Sequence, residues 1–380
     1  MSRPRVSMTL FTPLTLRDVT LRNRIAVSPM CQYSAGDGLA NDWHLVHLGK
    51  FAQGGAGLVF TEAAAVSRIG RITHGDLGIW SDEHAAALAR ITGFLRAHGA
   101  ASGIQLGHAG RKASMQRPWE GNAALTGAEF AAGDMAWPTL APSALPVDDG
   151  WLVPRAMTID DIAQTVADFA SAARRADWCG FDVAEIHAAH GYLLASFLSP
   201  VSNKRDDAYG GSRENRARAL FETVDAVRAV WPEQKPLFVR ISSVDGSPDG
   251  WSLDDSVWLA GELKTRGVDV VDCSSGGISG SATAAKRAAP EPGFQVPYAE
   301  RIRRETGMKT QAVGLIFEPA QAEAIVASGQ ADIVALGREM LTDPNWPLHA
   351  ADALGADTAF ATWPKQYGWW LDKRRQLVGR

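Results

Sequence analysis

Cysteine is scarce in this chain. Three occur among 380 residues, Cys31, Cys179 and Cys273, and no two form a C-x-x-C pair. A disulfide framework, a zinc ribbon and an iron–sulfur cluster are therefore excluded. Long apolar runs are also missing, since no stretch approaches the roughly 18 residues a membrane helix needs. Charge of one sign is absent too: 38 basic against 42 acidic residues leave a net −4. That balance offers no footprint for nucleic acid or for an anionic membrane. Neither G-x-G-x-x-G nor G-x-x-x-x-G-K occurs, which weakens the Rossmann and P-loop readings. The first seven residues carry charge with no apolar stretch behind them, unlike a secretory signal. Met8 reads as an alternative start, and a cytoplasmic protein is expected.

What is present suits a globular α/β protein, with 46% hydrophobic and 21% charged residues. Tryptophan is abundant, 13 against 5 tyrosines, which favours broad apolar surfaces for packing or for a flat ligand. Short apolar runs without a clean polar face read as parallel strands covered on both sides. They fall at residues 25–28, 57–61, 101–106, 181–186, 237–241, 268–272, 310–313 and 331–336. Helical patterns with starting signals lie between them: Ser81 before Leu88, Ile91 and Leu95, and Thr158 with Asp161 before Ile162, Val166 and Phe169. Ser252 with Asp255 repeats that signature before Leu259, and Pro319 sits in a first turn. Eight strands alternating with eight helices predict a single (β/α)8 TIM barrel over 1–380 rather than an open doubly wound sheet. Residues 108–157 are too long for a plain connection and read as an ordered excursion with a hairpin at 145–153. Residues 187–211 read as a second long loop. The aromatic tail, 360–380, is expected to dock on its own barrel or on a neighbouring subunit.

Barrel enzymes build their sites at the C-terminal ends of the strands. Ser28, Pro29, Met30, Cys31 and Tyr33 follow the first strand; Ala63 ends the second, and Gln105 the third. His187, His190 and Tyr192 follow the fourth, Arg240 lies on the fifth, Gly314 ends the seventh, and Gly337 with Arg338 ends the eighth. Glycines at the last two positions, followed by an arginine, match the common phosphate site of this fold. The alternative is that they only let strands turn into helices. His187 and His190 share a face only if a helical turn follows their strand. They then suit metal ligation, with Glu62, Glu185, His108 or Asp272 as further ligands, or hydrogen bonding to a substrate oxygen. Cys31 is either a buried small hydrophobe or functional. Arg240 asks for a bound anion or for a strand-end carboxylate as its partner.

Several of these segments resemble the old yellow enzyme family. They are Ser28-Pro-Met-Cys31-Gln-Tyr33, Gly107-His-Ala-Gly-Arg-Lys112, Glu185-Ile-His-Ala-Ala-His-Gly-Tyr192, Phe197-Leu-Ser-Pro200 and Tyr209-Gly-Gly-Ser-Arg-Glu-Asn215. The cysteine and tyrosine after the first strand are similar to its thermophilic-like subclass. The resemblance implies an FMN-dependent ene-reductase on a TIM barrel, with NADPH or NADH as reductant. It implies that Ser28, Pro29, Met30, Cys31, Ala63, Gln105 and Arg240 hold the flavin ring and ribityl chain. Gly314, Gly337 and Arg338 are then implied for its phosphate, without a metal. His187 and His190 bind the oxygen of an α,β-unsaturated carbonyl compound and Tyr33 assists. Hydride passes from flavin N5 to Cβ, Tyr192 protonates Cα, and the two substrates use the flavin in turn by a ping-pong mechanism. Cys31 tunes the flavin potential, and Trp370 reaches the active site of a neighbouring subunit in a homodimer or homotetramer. Two rival readings remain, a metal-dependent hydrolase using His187 and His190 and a flavin-binding barrel with a sensing role.

Overall fold

A computed structural model describes residues 8–279 and 291–378. Residues 1–7, including the stretch ahead of the alternative start, lie outside the described residues, as do the last two of the tail. The strands in chain order are β1 (Leu14–Leu16), β2 (Val19–Leu21), β3 (Ile25–Val27), β4 (Leu58–Ala65), β5 (Ala101–Gly107) and β6 (Leu140–Ala141). They continue with β7 (Arg155–Ala156), β8 (Val183–Ala188), β9 (Leu237–Ser242), β10 (Val270–Ser274), β11 (Lys309–Val313) and β12 (Ile333–Leu336). Helices α1 (Asp42–Gln53), α2 (Asp82–Ala97), α3 (Gly127–Ala131), α4 (Ile159–Trp178), α5 (Leu193–Leu198) and α6 (Arg213–Arg228) are followed by six more. These are α7 (Leu253–Thr265), α8 (Val296–Thr306), α9 (Pro319–Ala327), α10 (Arg338–Thr342), α11 (Trp346–Ala353) and α12 (Lys365–Val378).

Strands β3, β4, β5, β8, β9, β10, β11 and β12 close in that order into a barrel, and every pairing in it is parallel. All eight apolar runs became barrel strands, because both faces of each are covered and no polar face is needed. The interior is layered. Ala26, Leu58, Phe60, Val183, Phe238, Val270 and Ile333 form an apolar cluster at the N-terminal mouth, which Leu14, Leu16 and Leu21 of the β1–β2 hairpin plug. One step up, the inward positions turn polar: Gln105 pairs in register with Glu185, and Asp272 with both Arg240 and Gln311. The helices pack outside, and their starts follow the sequence signals. Thr158 and Asp161 form a reciprocal capping box on α4, as Ser252 and Asp255 do on α7.

Two expectations need correction. Residues 145–153 form no hairpin; β6 and β7 pair in parallel instead, Leu140 against Arg155 and Ala141 against Ala156. Pro146 has no N–H to give a ladder, and Gly150 turns the chain at φ 81°. The 187–211 segment is not a plain loop, since it contains α5, whose six residues are all buried. The tail is held to its own chain by Arg375, which bonds Asp352 at 3.1 Å, while Trp369 and Trp370 stay 58% and 68% exposed and Gly368 is the one buried residue of α12.

Candidate active site

The site grows from the C-terminal ends of β3, β4, β5, β8, β9 and β10. Ser28 follows β3, and its N–H bonds Leu336 O at 2.9 Å, so the ends of β3 and β12 converge. A Cβ added at Gly337 would sit 3.7 Å from Met30 Sδ and 4.0 Å from Ser28 Cβ. The proposed ring contacts and half of the proposed phosphate site therefore adjoin. Gly314 and Leu315 both take positive φ, 119° and 51°. Leu315 departs from what an L-residue prefers, so this turn is specified rather than incidental. Arg338 is exposed at the start of α10.

Arg240 is buried, and it has both an ion contact and a polar neighbour. Its Nη1 donates to Ser28 Oγ at 3.2 Å, and its Nε lies 3.4 Å from Asp272 Oδ2 without a hydrogen-bond partner of its own. The carboxylate alternative for Arg240 is thus present, and room for a further acceptor remains at Nε. Gln105 Nε2 donates to Glu185 Oε1 at 2.8 Å.

His187 and His190 do meet, but not by a helical turn. His190 takes φ 60° and Gly191 φ 72°, which folds the chain back at the end of β8. The two rings lie edge to face with centroids 5.2 Å apart, and the Tyr192 ring is 5.0 Å from His187. The turn is clamped tightly: a Cβ on Gly191 would fall 2.2 Å from Gly277 O, and one on Gly277 2.6 Å from His190 Cα. Lys112, fully buried, donates from Nζ to His190 O at 2.8 Å and also to Gly277 O.

A neighbour fixes the proton position on His187, and two serines hold His190. Ala189 N–H donates to His187 Nδ1 at 3.2 Å, so the neutral ring carries its proton on Nε2. His190 Nε2 lies 2.7 Å from Ser274 Oγ, and its N–H donates to Ser242 Oγ at 2.8 Å. Burial, with the Arg240 and Lys112 charges, pushes both imidazoles well below their ordinary pKa, so they stay neutral. Burial raises the Tyr192 phenol well above its ordinary value and lowers Lys112 to about 7. The Cys31 thiol is pushed up by burial and then by the Glu62 and Asp76 charges. A small cavity opens between Ala63, Gly107, His108, Asp76, His187 and Tyr192.

Among the described residues no group of three or more His, Cys, Asp or Glu is placed to hold a metal ion. Glu185 and Asp272 serve Arg240 and Gln105 instead of the histidines. Sequence reasoning brought together Ser28, Cys31, Tyr33, Ala63, Gln105, His187, His190, Tyr192 and Arg240. It missed Asp76, Ser242 and Ser274, and it quoted Lys112 without giving it a role. The one available signal was the Arg111-Lys112 pair in the turn that follows β5; Asp76 sits in a loop with no pattern. Trp370 lies on the exposed face of α12 and lines none of this.

Comparison with known proteins agrees with this geometry. Residues 9–356 match the family profile described as NADH:flavin oxidoreductase / NADH oxidase. An NADPH dehydrogenase of Geobacillus sp. (strain WCH70) is 46% identical over 362 residues, 95% of this chain and 98% of that protein. Morphinone reductase, solved as an N189A mutant with tetrahydroNAD, superposes with a TM-score of 0.73 at 28% identity, over 92% of this chain and 91% of that one. A 2-naphthoyl-CoA reductase complex gives 0.81 at 25% identity over 91% of this chain, which spans about half, 52%, of that longer protein. Barrel, strand-end site and matches together define an FMN-dependent oxidoreductase served by a nicotinamide nucleotide. The chain belongs to the NADH:flavin oxidoreductase / NADH oxidase family, the old yellow enzymes that its motifs resemble.

Proposed function

We propose that this protein is an ene-reductase that reduces the activated C=C bond of α,β-unsaturated carbonyl compounds at the expense of NADPH or NADH. The observation that carries the reading is the triad of rings at the end of β8. The neutral His187 imidazole and the protonated Tyr192 phenol line the cavity, and the neutral His190 imidazole lies edge to face against His187.

The residues present fit FMN. Arg240 Nε is a buried donor with no hydrogen bond and only a 3.4 Å ion contact to Asp272, suited to a polar ring edge, and Ala63, Gly107 and Gly337 put small residues at the strand ends. Ser28, Pro29, Met30, Cys31, Gln105 and Arg240 would hold the ring and ribityl chain, and Gly314, Gly337 and Arg338 the phosphate. Bound FMN supplies two-electron hydride chemistry, accepting from the nucleotide and giving to the alkene in turn, which is ping-pong. His187 offers Nε2–H to the substrate's carbonyl oxygen, since its Nδ1 is already an acceptor. His190 adds the second donor, oriented by Ser274 and Ser242. Such donors matter most as charge develops on the oxygen. Tyr192 gives its proton to Cα as general acid; its raised pKa keeps that proton in place until a strong base forms beside it. Tyr33 assists in binding, and Cys31 acts as a thiol on the cofactor's potential. The same reading makes the barrel one FMN-binding unit with 108–157 as its cap, places it in the cytoplasm, and gives it a second copy whose Trp370 completes the site.

Replacing His187 and His190 together with alanine tests it. The expected result is bound FMN that NADPH still reduces, with cyclohexenone turnover lowered by about 10²–10⁴. Unimpaired cyclohexenone reduction by the double variant refutes the assignment.

A further inference from the structure

The polar layer beneath the site has a charge imbalance that the reaction above does not use. Glu185 and Asp272 are both fully buried, on β8 and β10, with Arg240 between them on β9. The groups facing them come from every neighbouring strand: Gln105 on β5, Arg240 on β9, Gln311 on β11, and Ser28 after β3 through Arg240. Only Arg240 is a cation. Two ionised carboxylates would leave one negative charge in the barrel with no counter-ion, which a buried site does not tolerate.

The oxygens say where the missing proton lies. Glu185 Oε1 accepts from Gln105, while Glu185 Oε2 and both Asp272 oxygens have no hydrogen-bond donor when the two groups are treated as carboxylates. Asp272 faces the guanidinium at 3.4 Å. A proton on Glu185 Oε2, donated to Asp272, gives that oxygen and one of the two Asp272 oxygens a hydrogen bond and brings the layer to neutrality. We propose that Glu185 and Asp272 share one proton and act through Arg240 as positioning residues. By holding one negative charge against the guanidinium, they set how much of its positive field reaches the flavin. Burial raises both carboxyls and the Asp272 charge raises Glu185 further, while Arg240, Gln311 and a hydrogen bond from Glu185 draw Asp272 back towards its charged form, in agreement with that assignment.

The inference rests on Arg240 facing the flavin ring, as proposed above, but not on the alkene chemistry. Its test therefore uses a redox dye and no alkene, and it stands if the enone reading fails. The holoenzyme and three variants, Glu185→Gln, Asp272→Asn and the double variant, are equilibrated with the dye and the flavin spectrum is read. If one proton is shared, either single variant leaves one carboxylate beside Arg240. The ratio of reduced to oxidised flavin at fixed dye potential then moves by less than about threefold. The double variant removes that charge and raises the ratio by at least about tenfold, roughly 30 mV for a two-electron couple. Infrared spectra supply a second readout. The carbonyl stretch of one buried carboxylic acid should be present at neutral pH and lost in both single variants, since the remaining group ionises. Single variants that each move the ratio about half as far as the double overturn the proposal, and so does an unmoved double variant. If the double variant fails to hold FMN, the infrared band decides: present in the parent and lost in both singles upholds the pair, and absent from the parent overturns it.

Discussion

At the scale of single residues, burial holds the imidazoles and the phenol of the site in their neutral forms over a wide pH range. His187 gives a donor because Ala189 N–H occupies its other nitrogen. Both imidazoles stay uncharged because they are buried beside Arg240 and Lys112. Tyr192 is the counterpart, an acid too weak to lose its proton to water. Tyr192→Phe should therefore slow the alkene half-reaction by about 10²–10⁴ while flavin reduction by NADPH is unchanged, read by stopped-flow absorbance. Lys112 leaves a thermodynamic mark. Its folded pKa, about 7, lies below the ordinary 10.5, so between those values the unfolded chain holds a proton that the folded chain lacks. Stability then rises with pH across that window, on the order of 1.4 kcal/mol per pH unit. In Lys112→Met that rise is gone, and the carbonyls of His190 and Gly277 lose their donor. The stability gap between parent and variant, measured by urea unfolding, should widen from pH 7 towards pH 10.

At the scale of elements, the readable parts of the sequence are those whose structure is set locally. The barrel strands showed as short apolar runs, and the starts of α4 and α7 as Ser/Thr with Asp three residues on. The α4 box is complete: Thr158 Oγ1 accepts from Asp161 N at 3.1 Å, and Asp161 Oδ2 accepts from Thr158 N at 2.7 Å while pairing with Arg155. Thr158→Ala should lower stability by about 1 kcal/mol, with FMN content unchanged. What stayed unreadable depends on distant partners. The back-fold at His190 is fixed by Gly277, 87 residues on, and by Lys112, 78 residues before it. A local pattern at 187–192 could suggest only a helical turn. The same holds for Asp76, whose place beside Tyr192 follows from β4 and its loop meeting β8 across the barrel mouth. The β6–β7 pair eluded sequence reading because a parallel pair of two-residue strands leaves almost no alternation to read.

At the scale of the whole molecule, the outward face of α12 is the feature a lone chain leaves unexplained. The helix is anchored to its own body: Arg375 lies 3.9 Å over the Phe360 ring and bonds Asp352 at 3.1 Å, and Gly368 packs against Phe360 O. That anchoring turns Trp369 and Trp370 away from the barrel, edge to face at 4.6 Å, with Tyr367 and Leu377 also exposed. Paired tryptophans on an anchored helix form a firm apolar surface, and each can bury roughly 150–250 Å² against a partner. A second copy of the chain is the occupant that would also bring Trp370 to a neighbouring site, so the helix should stay folded while its tryptophans cross the interface. In sedimentation at micromolar concentration the parent should run as a dimer or tetramer. Trp369→Ser with Trp370→Ser should weaken association by at least about a hundredfold, near 2.8 kcal/mol, and leave FMN content and the thermal midpoint of each barrel in place. Unaltered association of that variant would mean that the tail faces solvent and that another surface joins the copies.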